Sequence, residues 1–148
     1  MPVRVLFVCS GNICRSPTAE AVMSRLVEEA GLTDRIAVDS AGTGSWHVGE
    51  PPDTRAVAAA RARGFAVAGA ARQVRPDDFD RFDLLVAVDD ENLHRLRRVT
   101  PPGAADRVRK LAEQDVPDPY YGGPDGFERV LDLLEKDCRA LLDELRQD

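Results

Sequence analysis

Cys9, Arg15 and Ser16 are the residues whose types and spacing carry chemistry: a thiol, five intervening residues, then a guanidinium followed at once by a hydroxyl. Across so short an interval the backbone can curl so that the amides of Ser10, Gly11, Asn12, Ile13, Cys14 and Arg15 face one tetrahedral anion. Gly11 opens backbone conformations closed to other residues, and Asn12 is among the few side chains tolerated at positive φ. Arg15 can fold back over the cradle and hold two oxygens with its planar fork. The same inward dipoles favour a thiolate at Cys9, and Ser16 is placed to hydrogen-bond that sulfur. This is the equipment for phosphoryl transfer to sulfur, with the equatorial oxygens cradled before attack. A Walker-type nucleotide loop is excluded, since no Gly-Lys-Ser/Thr occurs here.

The elements that position this loop are legible. Val3–Val8 is a short apolar run rich in β-branched residues and reads as a buried strand. Ser16-Pro17 reads as an N-cap and first helical residue, opening a helix to about Ala30 with Ala19, Val22, Leu26 and Val27 on one face. A second strand is predicted at Ile36–Asp39 and a helix from Asp53 to Arg63 stopped by Gly64. A short helix near Asp77–Phe82, the buried strand Leu84–Val88 and a helix over Asp90–Arg98 follow. Val108–Leu111 reads as a short strand. A last helix from Asp125 to Arg146 carries one apolar stripe from Phe127 to Leu145, on which Cys138 reads as core. Strands alternating with helices predict an α/β parallel sheet covered on both faces. Ligands of such sheets bind at the strands' carboxyl ends, where Cys9, Ser40 and Asp89 each fall just past a strand.

The proton that a leaving oxygen needs points to Asp118, in Asp115-Val116-Pro117-Asp118-Pro119-Tyr120-Tyr121. Two prolines stiffen the loop around one carboxyl, and two tyrosines supply aromatic walls for a slot of phosphotyrosine depth. A plain turn before a helix accounts for the same segment when taken without the Cys9 loop. Trp46 reads as a rim residue and Arg95, Arg97 and Arg98 as a solvated helix face. Cys14 is either a packing residue or a partner able to form a disulfide with Cys9 under oxidation. His47 and His94 are too isolated for a metal cluster, so no metal or other cofactor is expected.

Composition bounds the class. The 148 residues, 43% hydrophobic and 31% charged, suit one domain spanning 1–148 with a real core. A net charge of -6 argues against a nucleic-acid partner. No apolar run reaches the roughly 18–20 residues of a membrane span, and the N-terminus lacks separate charged and apolar signal regions. Three cysteines, an odd number, favour a reducing cytoplasm; a leaderless export route would leave no readable mark.

Taken together, VLFVCSGNICRSPTAE, DSAGTGSWHVGEP, ARQVRPDDFDRFDLLVAVDDENL and DVPDPYYGG resemble, in order and spacing, the low-molecular-weight protein tyrosine phosphatases over essentially the whole chain. The resemblance implies a four-stranded parallel sheet with helices on both faces and metal-free hydrolysis of phosphotyrosine in proteins, releasing inorganic phosphate. It carries over Cys9 as nucleophile, Arg15 as the phosphate and transition-state clamp, and Asp118 as general acid. Ser16 would assist the thiolate, Asn12 and Ser40 would support the loop, and Ile13, Trp46, Tyr120 and Tyr121 would border the substrate cleft. One departure is Gly69, where many members carry histidine, so an altered loop-supporting network is expected. Rival readings are a phosphoarginine phosphatase, an arsenate reductase of the same fold, and a non-catalytic phosphate-binding module. Ile13 with the tyrosine pair favours an aromatic phosphoester, and the lack of any cysteine between Cys14 and Cys138 disfavours a thiol relay.

Overall fold

The computed structural model describes residues 2–120 and 122–147. Its strands β1 (Val3–Cys9), β2 (Ile36–Gly42), β3 (Leu84–Ala87) and β4 (Val108–Lys110) form one sheet in the order β2-β1-β3-β4. Every pairing in it is parallel. The helices are α1 (Arg15–Glu29), α2 (Thr54–Ala62), α3 (Asp78–Arg81), α4 (Asp90–Val99) and α5 (Pro124–Arg146).

Two apolar layers explain why β1 is hydrophobic at every central position. Side chains alternate across a strand, so Val5 and Phe7 join the core built with Val22 and Leu26 of α1 and Leu134, Cys138 and Leu141 of α5. Leu6 and Val8 point the other way, to Phe79, Phe82, Leu96 and Val108. All four β1 residues are fully buried, as a parallel strand covered on both faces requires. The α1 and α5 stripes read from the sequence are the faces that pack.

Local chemistry sets the ends. Asp53 caps α2 by accepting from the Arg55 amide at 2.8 Å, and Gly64, at φ +86°, follows its C-terminus. Asp89 caps α4 through the Asn92 amide at 2.8 Å. The structure revises three expectations. Helix α1 begins two residues early, at Arg15, so Ser16 lies within its first turn with its hydroxyl 2.9 Å from the Cys9 sulfur, and makes no cap. Pro17 is still tolerated, because first-turn amides have no intrahelical acceptor. Strand β2 runs to Gly42, pairing with the whole of β1, so Ser40 sits inside the strand beside Phe7. A 3-10 turn over Pro102–Arg107 carries no apolar periodicity and was not foreseen. The C-terminal ends align in register: Cys9 opposite Gly42, and Val8 opposite Ala87.

Candidate active site

From Cys9 the chain turns sharply before entering α1. Asn12 takes φ +58°, the left-handed conformation its side chain tolerates. Gly11 has no positive φ, contrary to the expected reason for it. Space demands it instead: a Cβ there would lie 2.7 Å from the His47 ring. Gly42 is similarly required, since a Cβ would meet the Ser10 carbonyl at 2.8 Å. Among the described residues, no amide from Ser10 to Ser16 donates to a backbone or side-chain acceptor. Buried amides are normally paired. A run of uncommitted ones at the start of a helix is what an oxyanion site consists of.

Behind the loop a buried hydrogen-bond chain leads away from sulfur. Cys9 Sγ lies 2.9 Å from Ser16 Oγ. Asn12 Nδ2 donates to Ser16 Oγ at 2.8 Å and to Ser40 Oγ at 3.0 Å, while its Oδ1 accepts from the Arg72 amide at 3.0 Å. Ser40 then donates to Glu20 at 2.6 Å. Burial pushes the Glu20 carboxyl above its ordinary range, partly offset by that bond. The Ser16 hydroxyl has one proton and two candidate acceptors, sulfur and the Ala41 carbonyl at 3.3 Å. A thiolate draws that proton as the nearer, charged acceptor. The network closes without a side chain at position 69. Gly69, at φ +97°, borders a cavity of about 170 Å³ shared with Glu20, Ser40 and Arg72.

Arg15 is 3% exposed and donates from Nη1 to Asp89 at 2.6 Å and to the Val116 carbonyl at 2.9 Å. Burial works against its charge, but Cys9, Asp89 and Asp118 outweigh this and raise its pKa above the ordinary value. Asp89 also accepts from the amide and side chain of Asn92 through its other oxygen, each at 2.8 Å. Asn92 Oδ1 in turn accepts from Ser10 at 3.3 Å and Thr43 at 3.2 Å, tying α4 to the loop. Asp89 and Asn92 were missed as site residues; a capping Asp with Asn three positions on, directly after a buried strand, was the available signal.

A cleft of about 480 Å³ opens over Cys9, lined by Ile13, Arg15, Trp46, His47, Asp118 and Tyr120 among others. Asp118 approaches Arg15 Nη2 at 3.7 Å and stays half exposed. Its Oδ1 accepts the Tyr120 amide at 3.0 Å, bracing the loop. Arg55 holds the Tyr120 carbonyl at 2.9 Å and lies over the Tyr120 and Phe127 rings. His47, which sequence reasoning passed over, packs between Trp46 and Tyr120 with ring centroids at 6.3 and 5.9 Å. Tyr121 lies outside the described residues. Arg95, read as a solvated face, also lines the cleft together with Glu91, to which it is paired at 2.5 Å. Helix α4 starts at the cleft, so one side of it cannot be pure solvent surface.

The remaining thiols differ from Cys9. Cys14 packs with Ala56, Ala71 and Phe127, and burial pushes its pKa up to about 12. Cys138 is wholly buried in the core, its thiol also pushed up by burial. Asn12, Ser16 and Ser40 sit behind the cleft wall as supports. No grouping of His, Cys, Asp and Glu among the described residues could hold a metal ion, and no helix among them is long and apolar enough to cross a membrane.

Comparison with known proteins agrees with this geometry. The family model described as low molecular weight phosphotyrosine protein phosphatase matches residues 4–148. A low molecular weight protein-tyrosine-phosphatase of Streptomyces coelicolor is 47% identical, the match covering 99% of this chain and 96% of the relative. The crystal structure of a protein tyrosine phosphatase from Entamoeba histolytica superposes with a TM-score of 0.95 at 40% identity, covering 98% of this chain and 97% of that one. That of YfkJ from Bacillus subtilis gives 0.92 at 39%, covering 99% and 96%. With a family model spanning nearly the whole chain, a relative 47% identical and the same fold in solved structures, the chain belongs to the low molecular weight phosphotyrosine protein phosphatase family.

Proposed function

We propose that this protein tyrosine phosphatase works by two in-line displacements at phosphorus, with Cys9 as nucleophile, Arg15 as clamp and Asp118 as proton carrier. In the first step the Cys9 S–P bond forms and the bond to the tyrosyl oxygen breaks, while Asp118 gives its proton to that oxygen. In the second, water attacks phosphorus, its proton passes to Asp118, the S–P bond breaks, and inorganic phosphate leaves. Ser16 steadies the sulfur as attacking and leaving group. The uncommitted amides of Ser10 to Ser16 and Arg15 bind the equatorial oxygens. Ile13, Trp46, His47 and Tyr120 supply walls suited to an aromatic ring.

The observation that carries this reading is the run of uncommitted amides directly after Cys9, whose Sγ lies 2.9 Å from a hydroxyl that can donate to it. An arsenate-reducing relay gains no support, because Cys138 is enclosed in the core. The expected result is turnover of an aryl phosphate that survives a chelator and is abolished in Cys9→Ser. Mass spectrometry of the acid-quenched wild-type protein should find phosphate on the peptide containing Cys9. Substantial turnover by Cys9→Ser would overturn the assignment.

A further inference from the structure

A second hollow, of about 180 Å³, adjoins the cleft. Its apolar surface comes from Val74, Phe79, Leu96 and Val99, with Arg75 and Arg95 at the polar edge. Pockets that enclose a drug-sized ligand run to roughly 300–1,000 Å³, so this one suits a single side chain. It is continuous with the catalytic site in two ways. Arg95 lines both spaces. Thr43, also on its wall, donates its amide to the Cys9 carbonyl at 2.8 Å and its hydroxyl to Asn92 at 3.2 Å.

Exposure points the same way. Among the described residues, the exposed large hydrophobic ones are Trp46, Val48 and Val99. The first lines the cleft and Val48 follows two residues later in that loop. Val99, 62% exposed, borders the hollow at the end of α4. Exposed apolar surface thus occurs both at the cleft and at the hollow that shares Arg95 with it, where a polypeptide bearing the phosphoryl group must lie. The cations at the edge already have acidic neighbours, Arg95 with Glu91 at 2.5 Å and Arg75 with Asp77 at 3.8 Å. An isolated anion would compete with those carboxylates, whereas an apolar side chain competes with nothing.

We propose that this hollow is a substrate subsite that seats one apolar side chain of the phosphotyrosyl polypeptide, a few residues from the phosphotyrosine. The proposal rests on the phosphatase reading and deepens it. Burying one such side chain in a half-open site should raise kcat/KM about tenfold, expressed mainly in KM.

The test is a set of short phosphotyrosyl peptides in which leucine, alanine or aspartate is placed in turn at each position within four of the phosphotyrosine. 4-Nitrophenyl phosphate serves as the substrate that cannot reach the hollow. Wild-type protein should prefer leucine over alanine at one position by about tenfold. Val99→Lys, a change at an exposed helix end, should bring that preference within twofold and leave 4-nitrophenyl phosphate turnover unchanged, while Val99→Leu should retain it. No preferred position, or a preference that survives Val99→Lys, overturns the subsite while leaving the phosphatase reading intact. So does a Val99→Lys effect on sedimentation alone, which would make the hollow a contact between copies of the chain. A wild-type protein inert toward 4-nitrophenyl phosphate and every peptide sinks both readings.

Discussion

Asp89 and Asp118 approach different nitrogens of the same guanidinium, yet their surroundings differ. Asp89 is 16% exposed, 2.6 Å from Arg15, and accepts from the Asn92 amide and side chain as well. Asp118 is 51% exposed, 3.7 Å from Arg15, and accepts the Tyr120 amide through one oxygen. Three donors hold Asp89 in place, one of them the guanidinium, which fits it to fix Arg15. A carboxylate with an oxygen open to the cleft can take and return a proton. Both are aspartates within reach of Arg15; what differs is the number of donors each engages and how far each is exposed.

The largest expected break of this comparison is Asp118→Asn. It should lower kcat about 10²–10⁴-fold, the usual share of a positioned acid. The loss should shrink for aryl esters whose leaving group is less basic than the tyrosine phenol of pKa about 10, and phosphate binding should persist. A deficit independent of the leaving group, measured across an aryl phosphate series, would remove Asp118 from proton transfer. Asp89→Ala should behave in the opposite manner. It strips the closest partner from the buried Arg15 and the cap from α4, so stability should fall by about 3 kcal/mol in urea unfolding. Phosphate affinity should fall too, with no dependence on the leaving group; a leaving-group effect would put Asp89 in the chemistry.

Glu20 sharpens the contrast as a third carboxylate, half-buried and receiving a hydrogen bond from Ser40 at 2.6 Å. Its folded-state pKa is raised above the ordinary 4.5, chiefly by burial. The folded protein therefore holds this proton more tightly than the unfolded chain. Its contribution to stability falls as pH rises from about the unfolded value through the raised one. Glu20→Gln abolishes that term, so Tm of the variant relative to wild type should climb across the same interval, the smallest effect of the three. A difference in Tm that is flat with pH would show Glu20 to be ionised in the fold without penalty.

How much of this was legible follows from the range of the interactions. Cys9, Arg15 and Ser16 lie within eight consecutive residues, and their chemistry depends on a turn whose shape Asn12 and the following helix impose locally. The buried strands and the α1 and α5 stripes were readable because periodicity registers burial directly. Even there, local reasoning misjudged Ser16 as a cap and Gly11 as a residue of special φ. Sulfur at 2.9 Å claims the Ser16 hydroxyl, and the His47 ring excludes a side chain at position 11. The first competitor lies in the same loop, and the second arrives through the tertiary fold.

The chain's order of residues alone determined the Cys9-to-Ser16 loop, its run of amides and a parallel sheet to carry them, since each is written in contiguous segments with their own backbone preferences. Packing decided the rest. Only the register of β1 against β3 brings Asp89 to Arg15, 74 positions away, and only the 46–48 loop lying over the cradle turns His47 into a cleft wall. Partners so distant in sequence share no local pattern, and their pairing becomes definite when the sheet is assembled and the two apolar layers close on it.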